Sequence, residues 1–177
     1  MMNKEYIITM TAANRVGILS AVTKAMSELG ADLKEASQTV VHGYFTMIFC
    51  ADFPDTLETS VIVAHLQDVC RPFGIDVNLR DPVTEKPGST ASNGERFHTL
   101  RVGGDNRPGV LRELSSVISM RRIDIAGMHA VQTRKGEGFE MVMKISVPAR
   151  FDLDGLMQDL NQVGRSFNIT AELSDYS

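Results

Sequence analysis

An internal repeat constrains this chain of 177 residues more than any other feature. The segment ANRVGIL at 13–19 returns as DNRPGVL at 105–111, so the pattern Asn-Arg-x-Gly-aliphatic-Leu occurs twice. After a short insertion in the second copy, the match continues to the closing segments FGIDVNL (73–79) and FNITAEL (167–173). A self-match over nearly the whole chain predicts two copies of one small fold rather than one larger domain.

Each copy shows the same order of hydrophobic periods. In the first copy, alternation from Tyr6 to Met10 predicts a strand, and apolar residues at helical spacing from Ile18 to Leu29 predict a helix. Two strands joined at His42-Gly43 follow, and then a second helix and a last short strand. The order βαββαβ packs as a four-stranded antiparallel sheet with both helices on one face. The predicted fold class is therefore α+β, with two ferredoxin-like units.

The segment between the copies has the composition of a linker. The sequence DPVTEKPGSTASNGE at 81–95 is rich in Pro, Gly, Ser and Thr and holds almost no apolar residues. We therefore predict a first domain at 1–80, a linker at 81–96 and a second domain at 97–177.

Each predicted unit leaves an apolar residue on the face of the sheet that the helices do not cover. These residues are Ile48 and Val142, which alternation directs away from the helices. A small unit gains stability by burying such a face or its sheet edges against a like unit. A tandem copy supplies that neighbour at high effective concentration. We expect the two units to pack together, and a homodimer is a further expectation.

Composition and charge exclude several function classes. A net charge of −4 and a pI of about 5.5 give no broad attraction to phosphate backbones, so no direct binding to nucleic acid is expected. No apolar run approaches the roughly 20 residues that span a bilayer, so no membrane association is expected. Cys50 and Cys70 lack a CxxC spacing, which favours a reducing cytoplasm over a disulfide framework or a thiolate metal site.

The repeated motif lies where the first strand of each copy ends and the first helix begins. Asn14 and Asn106 are predicted near the helix N-caps, and Pro108 fits the first helical turn. Gly17 and Gly109 lack a Cβ, so another backbone or a ligand can approach closely. Free N–H groups at a helix start suit a carboxylate. A capped turn with a purely structural role explains the same residues.

The βαββαβ order with DNRPGVL at the first turn resembles the ACT domain, a small regulatory module that senses amino acids. The resemblance covers both copies and nearly the whole chain outside the linker. A pair of such domains without a catalytic segment is most similar to the glycine cleavage system transcriptional repressor family. The resemblance implies a non-enzymatic regulatory protein that binds a small amino acid, glycine or a similar one. It would act on a partner protein, such as a DNA-binding activator of amino-acid metabolism, and no cofactor is expected.

The resemblance also implies ligand-binding residues. In amino-acid-binding ACT domains the Asn of this motif hydrogen-bonds the effector, the Gly lets it approach, and a polar residue opens the second strand. The matching positions are Asn14, Gly17 and Asp32 in the first copy and Asn106, Gly109 and Asp124 in the second. Serine-binding members typically carry Asn at the strand position, whereas Asp accepts from an ammonium group and repels a carboxylate. Val16 replaces the usual Pro in the first copy, so the second copy is the expected site.

Two other functions stay open at this point. The chain could be an interaction or assembly module that binds no ligand. It could also be an acylphosphatase-like enzyme, because Arg15 and Arg107 lie in the loop where such an enzyme holds phosphate. The sequence offers no nucleophile–base pair and no acidic dyad, so no catalytic residue is predicted. The histidines lack metal-ligand spacing, so no metal is expected, and the hairpin tip RKGEG (134–138) is interpreted as solvated surface.

Overall fold

A computed structural model describes residues 3–84 and 95–176 of the chain. The chain divides into two compact units, Met1–Gly88 and Ser89–Ser177, which we call unit 1 and unit 2. The first strand of unit 2 begins at Glu95, inside the segment predicted as a linker. Residues 85–94 lie outside the described residues, so the linker and the exact domain boundaries stay predictions.

Both units have the predicted order of elements. Unit 1 consists of β1 (Asn3–Ala13), α1 (Ile18–Glu28), β2 (Asp32–Val41), β3 (Tyr44–Pro54), α2 (Thr59–Val69) and β4 (Asp76–Arg80). Unit 2 consists of β5 (Glu95–Asp105), α3 (Val110–Met120), β6 (Asp124–Thr133), β7 (Gly138–Pro148), α4 (Leu153–Phe167) and β8 (Ile169–Asp175). The strand orders are β2-β3-β1-β4 and β6-β7-β5-β8, with every neighbouring pair antiparallel. The ferredoxin-like prediction is confirmed.

One apolar core lies between the sheet and the two helices of each unit. In unit 1 the buried face of β1 is Tyr6, Ile8, Met10 and Ala12. The α1 residues from Ile18 to Met26 that recur at helical spacing belong to the same core. Burying a side chain such as Ile8, which is wholly inaccessible, contributes about 1.5–3 kcal/mol. The periodicities that predicted these elements therefore also identify the residues that hold them together.

The strand β2 and its counterpart β6 are edge strands that the helices leave uncovered. Every residue of β2 is exposed, and so is every residue of β6 except the half-buried Thr133. Each edge strand carries a β-bulge, between Leu33 and Glu35 in β2 and between Ile125 and Gly127 in β6. The sequence predicted a strand here in unit 1, but the exposure of both of its faces becomes visible only once the helices are placed.

Candidate functional site

The two repeated turns share one backbone conformation, and a glycine sets it. Gly17 has φ +99° and ψ −10° and is the N-cap of α1, and Gly109 has φ +92° and ψ −14° and is the N-cap of α3. Neither helix has a side-chain cap. The prediction that Asn14 and Asn106 lie near the N-cap is therefore corrected, since each stands three positions before it. Pro108 precedes the N-cap and is not in the first helical turn.

The positive φ explains why this position is glycine in both copies. Residues with a Cβ rarely adopt such a conformation, so the requirement comes from the backbone rather than from a ligand. A Cβ on Gly17 would lie 3.4 Å from Cζ of Phe73, and one on Gly109 would lie 3.8 Å from Cε1 of Phe167. An aromatic ring therefore lies against each turn at van der Waals distance.

The start of α1 offers open hydrogen-bond donors. Among the described residues, the N–H groups of Leu19 and Ser20 have no backbone acceptor, as expected for the first turn of a helix. The first turn of α1 contains no acidic residue, whereas that of α3 contains Glu113. Because a carboxylate near a helix start competes with an anionic ligand, the positive end of α1 is the more available of the two.

The turn of unit 2 is held by a polar cluster around Asp105. Its carboxylate accepts hydrogen bonds from Asn168 Nδ2 at 2.9 Å, from Arg107 Nη2 at 3.1 Å and from Arg134 Nη2 at 3.3 Å. These donors, with Asn168 first, hold the pKa of Asp105 below its usual range. Arg134 Nη2 also donates to the Gly104 carbonyl at 3.1 Å. The interpretation of the 134–138 tip as merely solvated is therefore wrong for Arg134.

The two motif asparagines differ in how their side chains are used. Asn106 Nδ2 donates to the Gly136 carbonyl at 3.0 Å, which ties the turn to the hairpin tip. Within the described part of the chain, the Asn14 side chain makes no hydrogen bond, although its backbone N–H donates to Gly43 O at 2.7 Å. The whole Asn14 amide is thus free to meet a ligand, while Asn106 has one of its two N–H donors engaged and its side chain held against the hairpin tip.

The structure places the predicted aspartates far from the turns of their own units. Asp32 pairs with Asp52, which pairs with Glu5 near the start of β1, whereas Asn14 follows the end of β1. Glu5 and Ala13 are separated by about 27 Å at the ordinary rise of an antiparallel strand.

Unit 2 repeats this arrangement. Asp124 pairs with Ser146, which pairs with Phe97 at the far end of β5 from Asp105. Neither unit alone brings its asparagine, glycine and aspartate to one small ligand.

The described residues contain no grouping of three or more His, Cys, Asp or Glu side chains that could hold a metal ion. Their helices are also too short or too polar for any of them to cross a bilayer.

Relatives in sequence match about half of the chain at a time. A UPF0237 protein of Corynebacterium diphtheriae is 36% identical over 73 residues, which is 41% of this chain and 79% of that protein. A UPF0237 protein of Methanosarcina mazei is 37% identical over 81 residues, covering 45% and 88% of the two chains. Such relatives correspond in length to one of the two units.

Solved structures match the whole chain. A protein of unknown function from Galdieria sulphuraria has a TM-score of 0.82 at 17% identity, covering 99% of this chain and 100% of its own. A protein provisionally assigned as a glycine cleavage system transcriptional repressor has a TM-score of 0.69 at 13% identity, covering 100% and 99%. At such identities the likeness shows the fold.

Sequence profiles identify the family directly. The ACT domain profile matches residues 6–71, and a second ACT domain profile matches residues 93–165. These matches cover the repeated turn in each unit and the elements around it. The chain therefore belongs to the ACT domain family and carries two copies of the domain.

Proposed function

We propose that this protein is a non-enzymatic regulator that binds a small amino acid, glycine or a close analogue, and thereby changes its association with a partner protein. Two ACT domains support this proposal, because the resemblance implies a module that senses amino acids. The partner that we propose is a DNA-binding transcriptional activator, and a protein of similar fold is assigned as a glycine cleavage system transcriptional repressor. The acidic net charge of −4 is consistent with action through such a partner rather than on DNA.

The turn of unit 1 carries this proposal. The free Asn14 amide lies with Arg15 on the exposed loop that leads into α1, whose first turn carries the open N–H groups. Arg15 has no ion pair among the described residues. Arg107 of unit 2, in contrast, pairs with Asp105 at 3.1 Å. A carboxylate entering unit 1 meets donors and a cation that nothing else uses. The hydrogen bonding thus supports the first copy, although the sequence motif favoured the second.

The ammonium group of the ligand needs an acceptor that the same unit does not place nearby. Asp32 or Asp124 of a second copy of the chain can serve if the start of its edge strand reaches the turn. Ligand binding would then favour an associated state, since a ligand shifts an equilibrium toward the state that binds it better. This coupling is the proposed route from an amino acid to a partner protein.

The experiment is titration calorimetry of the purified protein with a panel of amino acids, on the wild type, Asn14→Ala and Asn106→Ala. A polar contact to a charged ligand is worth about 1–3 kcal/mol, so Asn14→Ala should weaken binding roughly ten-fold or more. Asn106→Ala is the matched control and should change affinity less. If no amino acid binds, or if neither variant alters affinity, the ligand-binding proposal is wrong and an assembly role takes its place.

A further inference from the structure

The open face of the unit 2 sheet contains a groove whose floor is a glycine. Two adjoining cavities of about 300 and 260 Å³ share Gly103, Glu140 and Thr170 in their walls. Gly103 pairs with Glu140 on β7 and with Thr170 on β8, so these residues form one row across three neighbouring strands. Because Gly103 has no side chain, the backbone of β5 is the floor between the two flanking side chains.

Charged side chains of both signs surround this groove. Arg134 borders one cavity, Arg101 and Glu172 border the other, and Glu140 borders both. In the part of the chain that the structure describes, Glu140, Arg101 and Glu172 form no ion pair and no hydrogen bond, although Arg101 stands directly opposite Glu172. Unpaired charges of opposite sign around one small space suit a ligand that carries both signs.

The single carboxylate of Asp105 pairs with both Arg107 and Arg134, so one net positive charge remains beside the cavity that Arg134 borders. Arg134 Nη2 donates to the Gly104 carbonyl and to Asp105, which fixes the side chain, and no hydrogen bond uses Nη1 or Nε within the described residues. A guanidinium held at one nitrogen loses less freedom when its other donors bind a carboxylate, because the planar fork is already in place. Glu140 supplies the opposite charge for an ammonium group.

We propose that this groove of unit 2 binds a small zwitterion, an α-amino acid, with its carboxylate at Arg134 and its ammonium at Glu140. This site differs from the turn site of the proposed function and shares none of its residues. The two cavities, of about 300 and 260 Å³, lie at and just below the lower end of the range for small-molecule sites, which fits a ligand of a few heavy atoms. Its charged walls are solvent-exposed, so screening limits the affinity to a Kd of about 1 mM.

Unit 1 provides a natural control for the glycine floor. Thr11 takes the place of Gly103 there, and it pairs with Thr46 on β3 and Asp76 on β4. A threonine side chain stands where unit 2 has its opening, and Thr46 replaces the unpaired glutamate. The groove is therefore a property of unit 2 and does not follow from the shared fold.

The variant Gly103→Thr fills the groove with the residue that unit 1 carries. A Cβ at Gly103 would lie 3.5 Å from the Phe139 carbonyl oxygen and 3.8 Å from Glu140 Cγ, which are ordinary contacts. Threonine is also favoured in strands, so the fold should survive. Glu140→Gln removes the anion without changing shape, and Thr11→Ser serves as the matched control in unit 1.

The measurement is NMR of the full chain labelled with ¹⁵N only at glycine, titrated with unlabelled glycine. The Gly103 and Gly104 amides report the groove, while Gly17 and Gly109 report the turns, so the two sites are followed separately in one spectrum. Acetate and methylamine are the single-charge probes. The expected result is saturable shifts at Gly103 and Gly104 with glycine, and responses about ten-fold weaker with either probe.

The three variants should change the response of the groove to different extents. Glu140→Gln should weaken the groove response about ten-fold, Gly103→Thr should abolish it at Gly104, and Thr11→Ser should leave it unchanged. The inference is overturned by no shift at Gly103 and Gly104 up to about 10 mM glycine, by an equal response to acetate, or by an unchanged Gly104 response in Gly103→Thr. Shifts confined to Gly17 or Gly109 would support the turn site and reject the groove.

Discussion

The two units use the same turn with different chemistry around it. Gly17 and Gly109 have nearly the same φ and ψ, so the backbone of the motif does not depend on its polar neighbours. The residue before the motif asparagine is Ala13 in unit 1 and Asp105 in unit 2. Only the aspartate accepts hydrogen bonds from three side chains. Duplication has kept the geometry that the fold requires, while the groups left open to a ligand have diverged.

The largest expected effect tests how differently the two first strands end. Gly104 has φ +151°, and a Cβ there would lie 2.4 Å from Asn168 O and 2.7 Å from Ile169 Cα, both backbone atoms. Unit 1 has Ala12 at this position, because β4 stops pairing at Thr11. Gly104→Ala should lower the free energy of unfolding of unit 2 by about 3 kcal/mol. Urea unfolding followed by amide signals of each unit measures this.

The reverse variant in unit 1 is the control for that experiment. Ala12→Gly creates no clash and should cost only about 1 kcal/mol through greater freedom of the unfolded chain. Equal losses from the two variants would show that the close approach of β8 to Gly104 is not what distinguishes the units.

An intermediate effect tests the open faces of the two sheets. In unit 2, Lys144 Nζ lies 4.3 Å from the Phe97 ring centroid and 4.1 Å from that of Tyr176. In unit 1, Lys34 instead bridges Glu5 at 3.0 Å and Asp52 at 2.9 Å. Lys144→Met should destabilise unit 2 by about 1 kcal/mol, since it removes two cation–π contacts at a partly exposed site.

Salt dependence separates the two kinds of contact. The effect of Lys34→Met should shrink in about 1 M salt, because ions screen exposed charge pairs. The effect of Lys144→Met should shrink less, because the attraction between a cation and a ring quadrupole acts at short range and responds less to screening ions than a pair of full charges does. Thermal unfolding of both variants at low and high salt is the measurement, and an identical salt response would contradict the distinction between the faces.

The smallest effect is a pH-dependent change confined to one turn. The pKa of Asp105 is lowered in the folded protein, chiefly by the hydrogen bond from Asn168. The stabilisation is therefore present above the unfolded value of about 3.9 and is lost as the pH falls through the lower folded pKa. Amide shifts of Gly104 and Gly136 should change below about pH 4, while those of Gly17 should not follow. Asp105→Asn should abolish this transition. If the transition persists in that variant, another group is responsible for it.

The fold was predictable from sequence because hydrophobic periodicity reports burial directly. The residues from Tyr6 to Met10 and from Ile18 to Leu29 that set those periods are the ones the structure buries. The identity of the N-cap was not readable from asparagine spacing, because it depends on the positive φ of Gly17. The contact between Arg134 and Asp105 joins a hairpin tip to a turn far away in sequence, and no local pattern encodes it.

The distance between the motif and Asp32 could have been deduced from the predicted topology. A helix that follows a strand returns the chain to the start of that strand, so the next strand begins at the opposite end of the sheet from the turn. The family resemblance assigned Asn14 and Asp32 to one ligand site. The connectivity of the fold instead separates them by the length of β1. Residue types alone could not resolve this point.

The bulges in the edge strands oppose the addition of strands from other chains to each sheet. A long unpaired strand invites addition of further strands, and an irregularity with a charged residue on the edge opposes it. Unit 1 has both the bulge and the charge, since Lys34 occupies the bulge of β2. The equivalent position in β6 is the uncharged Ala126. During synthesis, when both edges are first presented to other chains in the crowded cell, unit 2 is the half whose edge carries the higher risk of fibrous self-assembly.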